Sequence, residues 1–247
     1  MLIKIKTLQG FELNSQNGEI GKVEQFYFDD QHWAIRYLVA DTGNWLRDRK
    51  VLISPYALVT VNKEDKNIIL NLTKKQIEDS PLLENDRPVS QQFEEAYHGY
   101  YGWPIYWYGS NMWGTYPSIE RDSEKWKKTI QSKKARDMNL RSSNDVSGYH
   151  IQAPDGEIGH VDDFIIDDEA WAIRYLIIDT VNWWSGKKVL ISPRWIEHVS
   201  WETSEVFVNI SRETVKHAPE YKDGSLVTRN YEAELHQHYN HQGYWGN

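Results

Sequence analysis

Residues 33–41 carry the sharpest alternation in the chain. Trp33, Ile35, Tyr37 and Val39 project to one side of an extended segment, and Ala34, Arg36, Leu38 and Ala40 to the other. Only Arg36 interrupts a stretch that is apolar on both faces, so the pattern predicts a central strand with Trp33 buried at its start. An arginine in mid-strand needs an acidic partner or an exposed head, and Asp41 in the same segment is the nearest candidate. Upstream, Val23, Phe26 and Phe28 mark another strand. The polar run Asp29, Asp30, Gln31 and His32 joins the two as a solvated hairpin turn. Before that, Leu2, Ile3, Ile5, Leu8, Phe11 and Leu13 alternate loosely, and the NSQNG run at 14–18 is a turn signal. Gly21 falls inside the following strand, where a bulge or a close backbone approach is expected.

Beyond the loop 41–49 the pattern predicts a short strand at 50–53. Ser54 then caps a helical turn with Pro55 at its first position. A closing hairpin follows, with strands at 58–61 and 68–72. Thr73 and Gln76 have capping-box spacing for one more short helix, with Ile77 facing inward. Short strands at such close spacing predict a small all-β barrel.

The pattern then recurs. Gly18 to Pro55 aligns without a gap on Gly156 to Pro193, a constant offset of 138, and 24 of these 38 positions are identical. One structural unit is used twice, so Trp171 and Gly159 inherit the expectations placed on Trp33 and Gly21. The similarity runs past the barrels at the same offset. Val89, Phe93, Glu94 and His98 align with Val227, Tyr231, Glu232 and His236, which gives each barrel a helical C-terminal arm. The first arm leads into a glycine- and aromatic-rich segment at 99–117, and the second ends in a shortened version at 240–247. The expected fold is all-β with short helices: two small barrels in tandem, each with a helical and aromatic arm. The expected boundaries are 1–82 for the first barrel, 83–139 for its arm and a polar linker, 140–220 for the second barrel and 221–247 for the last arm. Residues 118–141 hold eight Lys or Arg against four Asp or Glu, which suits a linker.

Composition narrows the function classes. A net charge of −8 argues against a non-specific nucleic-acid binder, which needs a basic surface to displace counterions from phosphates. With no cysteine, disulfides, thiolate chemistry and cysteine-ligated zinc are excluded. There is no signal-peptide core and no apolar run long enough to span a bilayer, so a cytoplasmic protein without an integral membrane segment is expected.

The unit GEIGxVxxFxxDDxxWAIRYLxxDTxNW followed by KKVLISP resembles the PRC-barrel domain. That family is named for the cytoplasmic part of the photosynthetic reaction-centre H subunit and also occurs in a ribosome-maturation factor. The arm with Tyr100, Tyr101, Gly102, Trp103 and Pro104 is similar to the tandem PRC-barrel proteins of bacteria. The second unit is the closer match, and the first departs from the pattern at Arg47, Asp48 and Arg49. The resemblance implies compact barrels that act as non-enzymatic adaptors for a protein partner. Its alternatives are a peripheral regulator of a membrane electron-transfer complex and an accessory to RNA processing or ribosome maturation.

No residue set calls for a cofactor or for catalysis. There is no Ser-His-Asp set, phosphate loop or zinc-hydrolase motif, and Gly18–Gly21 precedes a strand rather than opening a helix. Asp29 with Asp30 and Asp167 with Asp168 lack the further acid and the glycine of a calcium loop. His236, His238 and His241 form H-x-H-x-x-H, weak metal candidates because no further ligand type completes the set. The candidates for partner binding are aromatic: Trp103, Tyr106, Trp107 and Trp113 in the first arm, and Trp45, Trp183 and Trp184 in the loops after the central strands. Large rings supply contact area at low entropic cost, and the competing role for each is to cover its own barrel.

Overall fold

The structure, a computed structural model, describes residues 1–47, 49–81, 89, 91–107, 140–180 and 186–245. The chain divides into two compact units, Leu8–Arg141 and a second built from Met1–Thr7 together with Ser142–Asn247.

In the first unit, β2 (Glu12–Ser15), β3 (Gly18–Asp29), β4 (Ala34–Asp41), β5 (Val51–Ile53), β6 (Leu58–Asn62) and β7 (Asn67–Leu70) lie in the order β4-β3-β2-β7-β6, with β5 on the other side of β4. All pairings are antiparallel except β2 with β7, which is parallel. Ser54 caps a 3-10 turn at Pro55–Ala57. Thr73 and Gln76 complete a capping box on α2 (Lys74–Glu78), and Ile77 is buried. In the second unit β9 (His150–Ala153), β10 (Gly156–Asp167), β11 (Ala172–Asp179), β12 (Lys188–Ile191), β13 (Ile196–Ser200) and β14 (Glu205–Val208) repeat that order position for position. The two barrels are therefore one strand plan, with short helices, as the repeat requires.

The hairpin between β3 and β4 departs from the expected pattern. Trp33 is buried, but it is the last residue of the turn, with φ +54°, and its N–H donates to the Asp29 carbonyl at 3.0 Å. Trp171 repeats the conformation with φ +50°. A bulky residue at positive φ is strained. Stacking of the Trp33 ring on Phe28 at 5.2 Å and its burial offset that cost. Trp33→Ala should lower stability by about 3–5 kcal/mol, as truncation of a large core aromatic does. Urea denaturation with a loss below about 1 kcal/mol would contradict this packing.

The first strand of each repeat is not where sequence order would put it. β1 (Leu2–Lys4) pairs antiparallel with β10, setting Leu2 opposite Asp167, Ile3 opposite Ile166 and Lys4 opposite Ile165. Its repeat equivalent, β8 (Leu140–Ser142), pairs with β3. The short helices behind them, α1 (Ile5–Leu8) and α4 (Ser143–Val146), begin the path back to the strands of their own repeats. Charge accompanies the exchange. Lys4 Nζ lies 2.6 Å from Asp223 Oδ1, Lys6 Nζ lies 2.9 Å from Asp162 Oδ1, and Lys188 Nζ bridges both acids. In the first barrel Arg141 Nη2 lies 2.9 Å from Asp30 Oδ2. Lys4 Nζ also lies 3.8 Å from Asp163 Oδ2, and at the offset of 138 Asp163 is replaced by Gln25 and Lys4 by Ser142, so the strand with the lysine lies on the barrel with the acid. Ile3→Asp should therefore destabilise the unit holding 142–247 by roughly 2–4 kcal/mol through a buried unpaired charge. Hydrogen exchange should accelerate in β10 but not in β3, and equal acceleration in both would refute the exchange.

Candidate functional site

Each barrel seats its arm on a buried polar cluster. In the first, β4 supplies Arg36 and Tyr37, and α3 (Gln91–Tyr101) supplies Glu94, Tyr97 and His98. Glu94 and His98 are four residues apart and so share a helix face. After α3 the chain turns through Gly102 at φ +71° and runs back, placing the Pro104 carbonyl, Tyr106 and Trp107 against the same face.

The Tyr37 hydroxyl donates to Glu94 Oε1 at 2.8 Å and lies 2.8 Å from His98 Nε2. Tyr106 O–H donates to the same Glu94 oxygen at 2.5 Å. His98 Nδ1 lies 2.8 Å from the Pro104 carbonyl. A carbonyl only accepts, so Nδ1 carries a hydrogen. Arg36 Nη2 lies 2.6 Å from Asp29 Oδ2, and its guanidinium sits 3.8 Å over the Tyr106 ring. Beneath the arm, Tyr37, Val39, Leu52, Val89, Tyr97 and the exchanged Leu140 form one buried apolar cluster.

Electrostatics follow from burial. Glu94 and Tyr106 are each 1% exposed. Burial pushes the Glu94 carboxyl up to about 7 against the opposing hydrogen bonds from Tyr106 and Tyr37, and pushes His98 down to about 4. Tyr37 is raised well above the ordinary phenol range, by burial first and then by the Glu94 charge. Burial also pushes Asp29 up, but the hydrogen bond from His32 and the Arg36 charge outweigh it and hold the carboxyl below its ordinary value.

The second barrel repeats the arrangement with Tyr175 on β11, and with Glu232 and His236 on α5 (Arg229–His238). Tyr175 O–H donates to Glu232 Oε1 at 2.8 Å and lies 2.9 Å from His236 Nε2, and Tyr244 O–H reaches the same carboxylate oxygen at 2.9 Å. Arg174 pairs with Asp167 at 2.8 Å and lies 4.2 Å over the Tyr244 ring. One element is new: Arg229 Nη1 lies 2.9 Å from Glu232 Oε2.

The PRC-barrel domain model matches residues 2–77 and again residues 138–215. The chain belongs to the PRC-barrel family. A comparison with curated proteins gives no match. Both matched spans begin at the exchanged strands and stop before the arms. The tyrosine and arginine of each cluster are thus PRC-barrel residues, whereas the glutamate, histidine and second tyrosine come from outside the matched domain.

Several residues singled out in the sequence lie in these clusters. Tyr106 is at the centre of the first. Trp103 is half-buried and stacks on Tyr101 at 4.2 Å, and Trp107 stands edge-on to His98 at 5.3 Å. Trp45 is half-buried, with Lys74 Nζ 5.2 Å from its ring centre. Trp113, Trp183 and Trp184 lie outside the described residues. The three histidines of the last arm do not form a ligand set, although His236 and His241 both pack on Trp195. His236 joins the cluster, His238 Nε2 lies 2.8 Å from the Thr214 carbonyl, and His241 stacks on Trp195 at 5.1 Å. Among the described residues no three His, Asp or Glu side chains converge as a metal centre.

Asp29 corrects two expectations. It is not a solvated turn residue, being 1% exposed, and it rather than Asp41 pairs with Arg36. Tyr37 was visible only as an apolar strand position, and Glu94 only as an aligned arm residue. The signal that would have joined them is identity at the offset of 138: Tyr37, Glu94, His98 and Tyr106 all recur, as Tyr175, Glu232, His236 and Tyr244.

Proposed function

We propose that the chain is a non-enzymatic adaptor, in which each PRC-barrel holds an aromatic arm in a fixed position for contact with a protein partner. The observation that carries this reading is the use to which the titratable groups are put. Glu94, His98, Tyr37 and Tyr106 are buried and bonded to one another, so they fasten the arm instead of facing a substrate. Among the side chains the arms leave exposed are two large rings: Tyr100 is 41% exposed and Trp245 37% exposed. Rings of this kind form the anchors of protein interfaces. Among the described residues no helix is long and apolar enough to cross a membrane.

The test uses the full chain as bait in native host extract, with and without detergent, beside a Tyr100→Ser, Trp245→Ser variant. The expected result is a stoichiometric protein partner that the variant loses by tenfold or more. Recovery of the same partner by both chains would overturn the assignment of the arms as the contact surface. A partner recovered only with detergent would favour a membrane complex over a free protein.

A further inference from the structure

We propose that the first arm's cluster holds one shared proton, passed between Glu94 and His98 through the Tyr37 hydroxyl, and that loss of this proton unlatches the arm from its barrel. The inference rests on the adaptor reading only for what an unlatched arm would do.

The hydrogens of the cluster can be counted. Two contacts of 2.8 Å meet at the Tyr37 oxygen, one from Glu94 Oε1 and one from His98 Nε2. Tyr37 has one hydrogen to place between them. The Nδ1 hydrogen of His98 is already committed to the Pro104 carbonyl, and the Tyr106 hydrogen to Glu94. A neutral imidazole with Nδ1–H presents a bare Nε2, and a carboxylate presents only lone pairs. With Glu94 ionised and His98 neutral, one of the two contacts sets lone pair against lone pair. One added proton repairs this in either of two ways. It sits on Glu94 Oε1 and points at the Tyr37 oxygen, while Tyr37 donates to Nε2. Alternatively it sits on Nε2 and points at the Tyr37 oxygen, while Tyr37 donates to the carboxylate. The two arrangements hold the same number of protons and interconvert when Tyr37 gives up one hydrogen and accepts another.

The other groups facing the cluster do not supply that proton. Arg36 and Asp29 from the barrel form an ion pair with each other, and His32 bonds to Asp29. The Tyr56 phenol is raised by burial against the opposing Arg36 charge, and Tyr97 donates to the Leu52 carbonyl. The pH window follows from the direction of each shift. Glu94 keeps its proton up to about 7, and His98 stays neutral down to about 4. A carboxyl whose folded value is raised contributes stability at low pH that is lost as pH rises through that value. The first arm should therefore be seated near pH 6 and loosen as the proton passes to solvent above 7.

The second barrel repeats these contacts around Tyr175, with His236 Nδ1 3.0 Å from the Gln242 carbonyl. Arg229 supplies a positive charge to Glu232 at 2.9 Å, where the first arm has Gln91 in sequence. Glu232 therefore has a cation at hydrogen-bond distance on its own helix, whereas the charge that acts on Glu94 is that of Arg36 from the barrel.

Hydrogen exchange of the full chain at pH 6 and pH 8.5, corrected for intrinsic rates, reads this directly. Exchange in α3 should rise roughly tenfold or more between the two, since each pH unit beyond the folded value is worth a factor of ten. Glu94→Gln has no proton to lose over this range, so its α3 should exchange equally at both pH values. An α3 that ignores pH in the parent chain, or a Glu94→Gln chain that still responds as the parent does, overturns the latch. Should Glu94→Gln fail to fold, nitrogen NMR of His98 in the parent chain decides. A neutral ring protonated at Nε2 alone would cancel the hydrogen count, and a ring protonated at Nδ1, with or without Nε2, upholds it. None of these readouts needs a partner, so a failed capture experiment sinks the adaptor reading alone and a pH-blind α3 sinks the latch alone.

Discussion

Gly21→Ala should destabilise the first barrel by roughly 3–5 kcal/mol, with Gly159→Ala doing the same to the second. A Cβ on Gly21 would lie 2.0 Å from the Asp41 carbonyl oxygen and 2.9 Å from Thr42 Cα, and on Gly159 it would lie 2.0 Å from the Asp179 oxygen. All of these are backbone atoms, so no side chain can swing aside to make room. The strand ending at Asp41 would have to separate from β3 where Lys22 faces Asp41. Gly21 also has φ +139°, a region that side chains rarely enter. Overpacking and backbone strain each cost about 1–3 kcal/mol, and a domain has only about 5–15 kcal/mol in total. Gly43 is the control: its φ is +56°, but nothing lies within 4 Å of its Cβ position, so Gly43→Ala should cost only about 1 kcal/mol. Denaturant melts of the three variants test the contrast, and Gly21→Ala melting like Gly43→Ala would show that the strands are not in this contact.

Gly21 was readable from sequence because a glycine inside an alternating strand, repeated at the same place in both units, leaves few structural reasons for its presence. The barrels themselves were readable for a similar reason. Alternation, turn residues and capping boxes are local signals, and the constant offset doubled each of them. Pairing was not readable, because alternation says that a segment is extended and not what it lies beside. Leu2–Lys4 and Leu140–Ser142 read as the first strands of their own repeats, and their exchange shows only in the strand pairing and in which charges match. The turn at Trp33 misled in another way. Neither unit has a glycine there, so the alternation seemed to continue through a residue that in fact carries the left-handed turn.

The arms were half readable. Their rings were visible, and their register was fixed by Glu94 with Glu232 and His98 with His236. A ring in a glycine-rich segment suggests a surface, yet Tyr106 points its hydroxyl into the barrel because a buried Glu94 needs donors. The acid that would draw Tyr106 inward is twelve residues away in sequence and on a different element, which no local pattern records.

The pairing of Arg36 shows the same limit and leads to the other large effect. Asp41 is five residues from Arg36, which along a strand is about 17 Å away and on the opposite face. Asp29 sits across the hairpin opposite Ala34, two residues from Arg36 and therefore on its face. There its carboxylate takes Arg36 at 2.6 Å and the His32 N–H at 2.7 Å. Asp29→Ala should cost about 3–5 kcal/mol, because it leaves a buried guanidinium without its carboxylate and opens the turn. Asp167→Ala makes the same change in the second barrel, where the side chains of Asp167 and Arg174 are 18% and 17% exposed. Water can solvate what remains there, so the expected cost is nearer 1 kcal/mol. The acid limb carries the same sign. The Asp29 carboxyl is held below its ordinary value, so its contribution is present at neutral pH and is lost as pH falls through the folded value. Acid titration of the two variants beside the parent should therefore show Asp29→Ala removing part of the loss of stability below pH 4. Equal costs for Asp29→Ala and Asp167→Ala at neutral pH would mean that burial does not set the strength of these pairs.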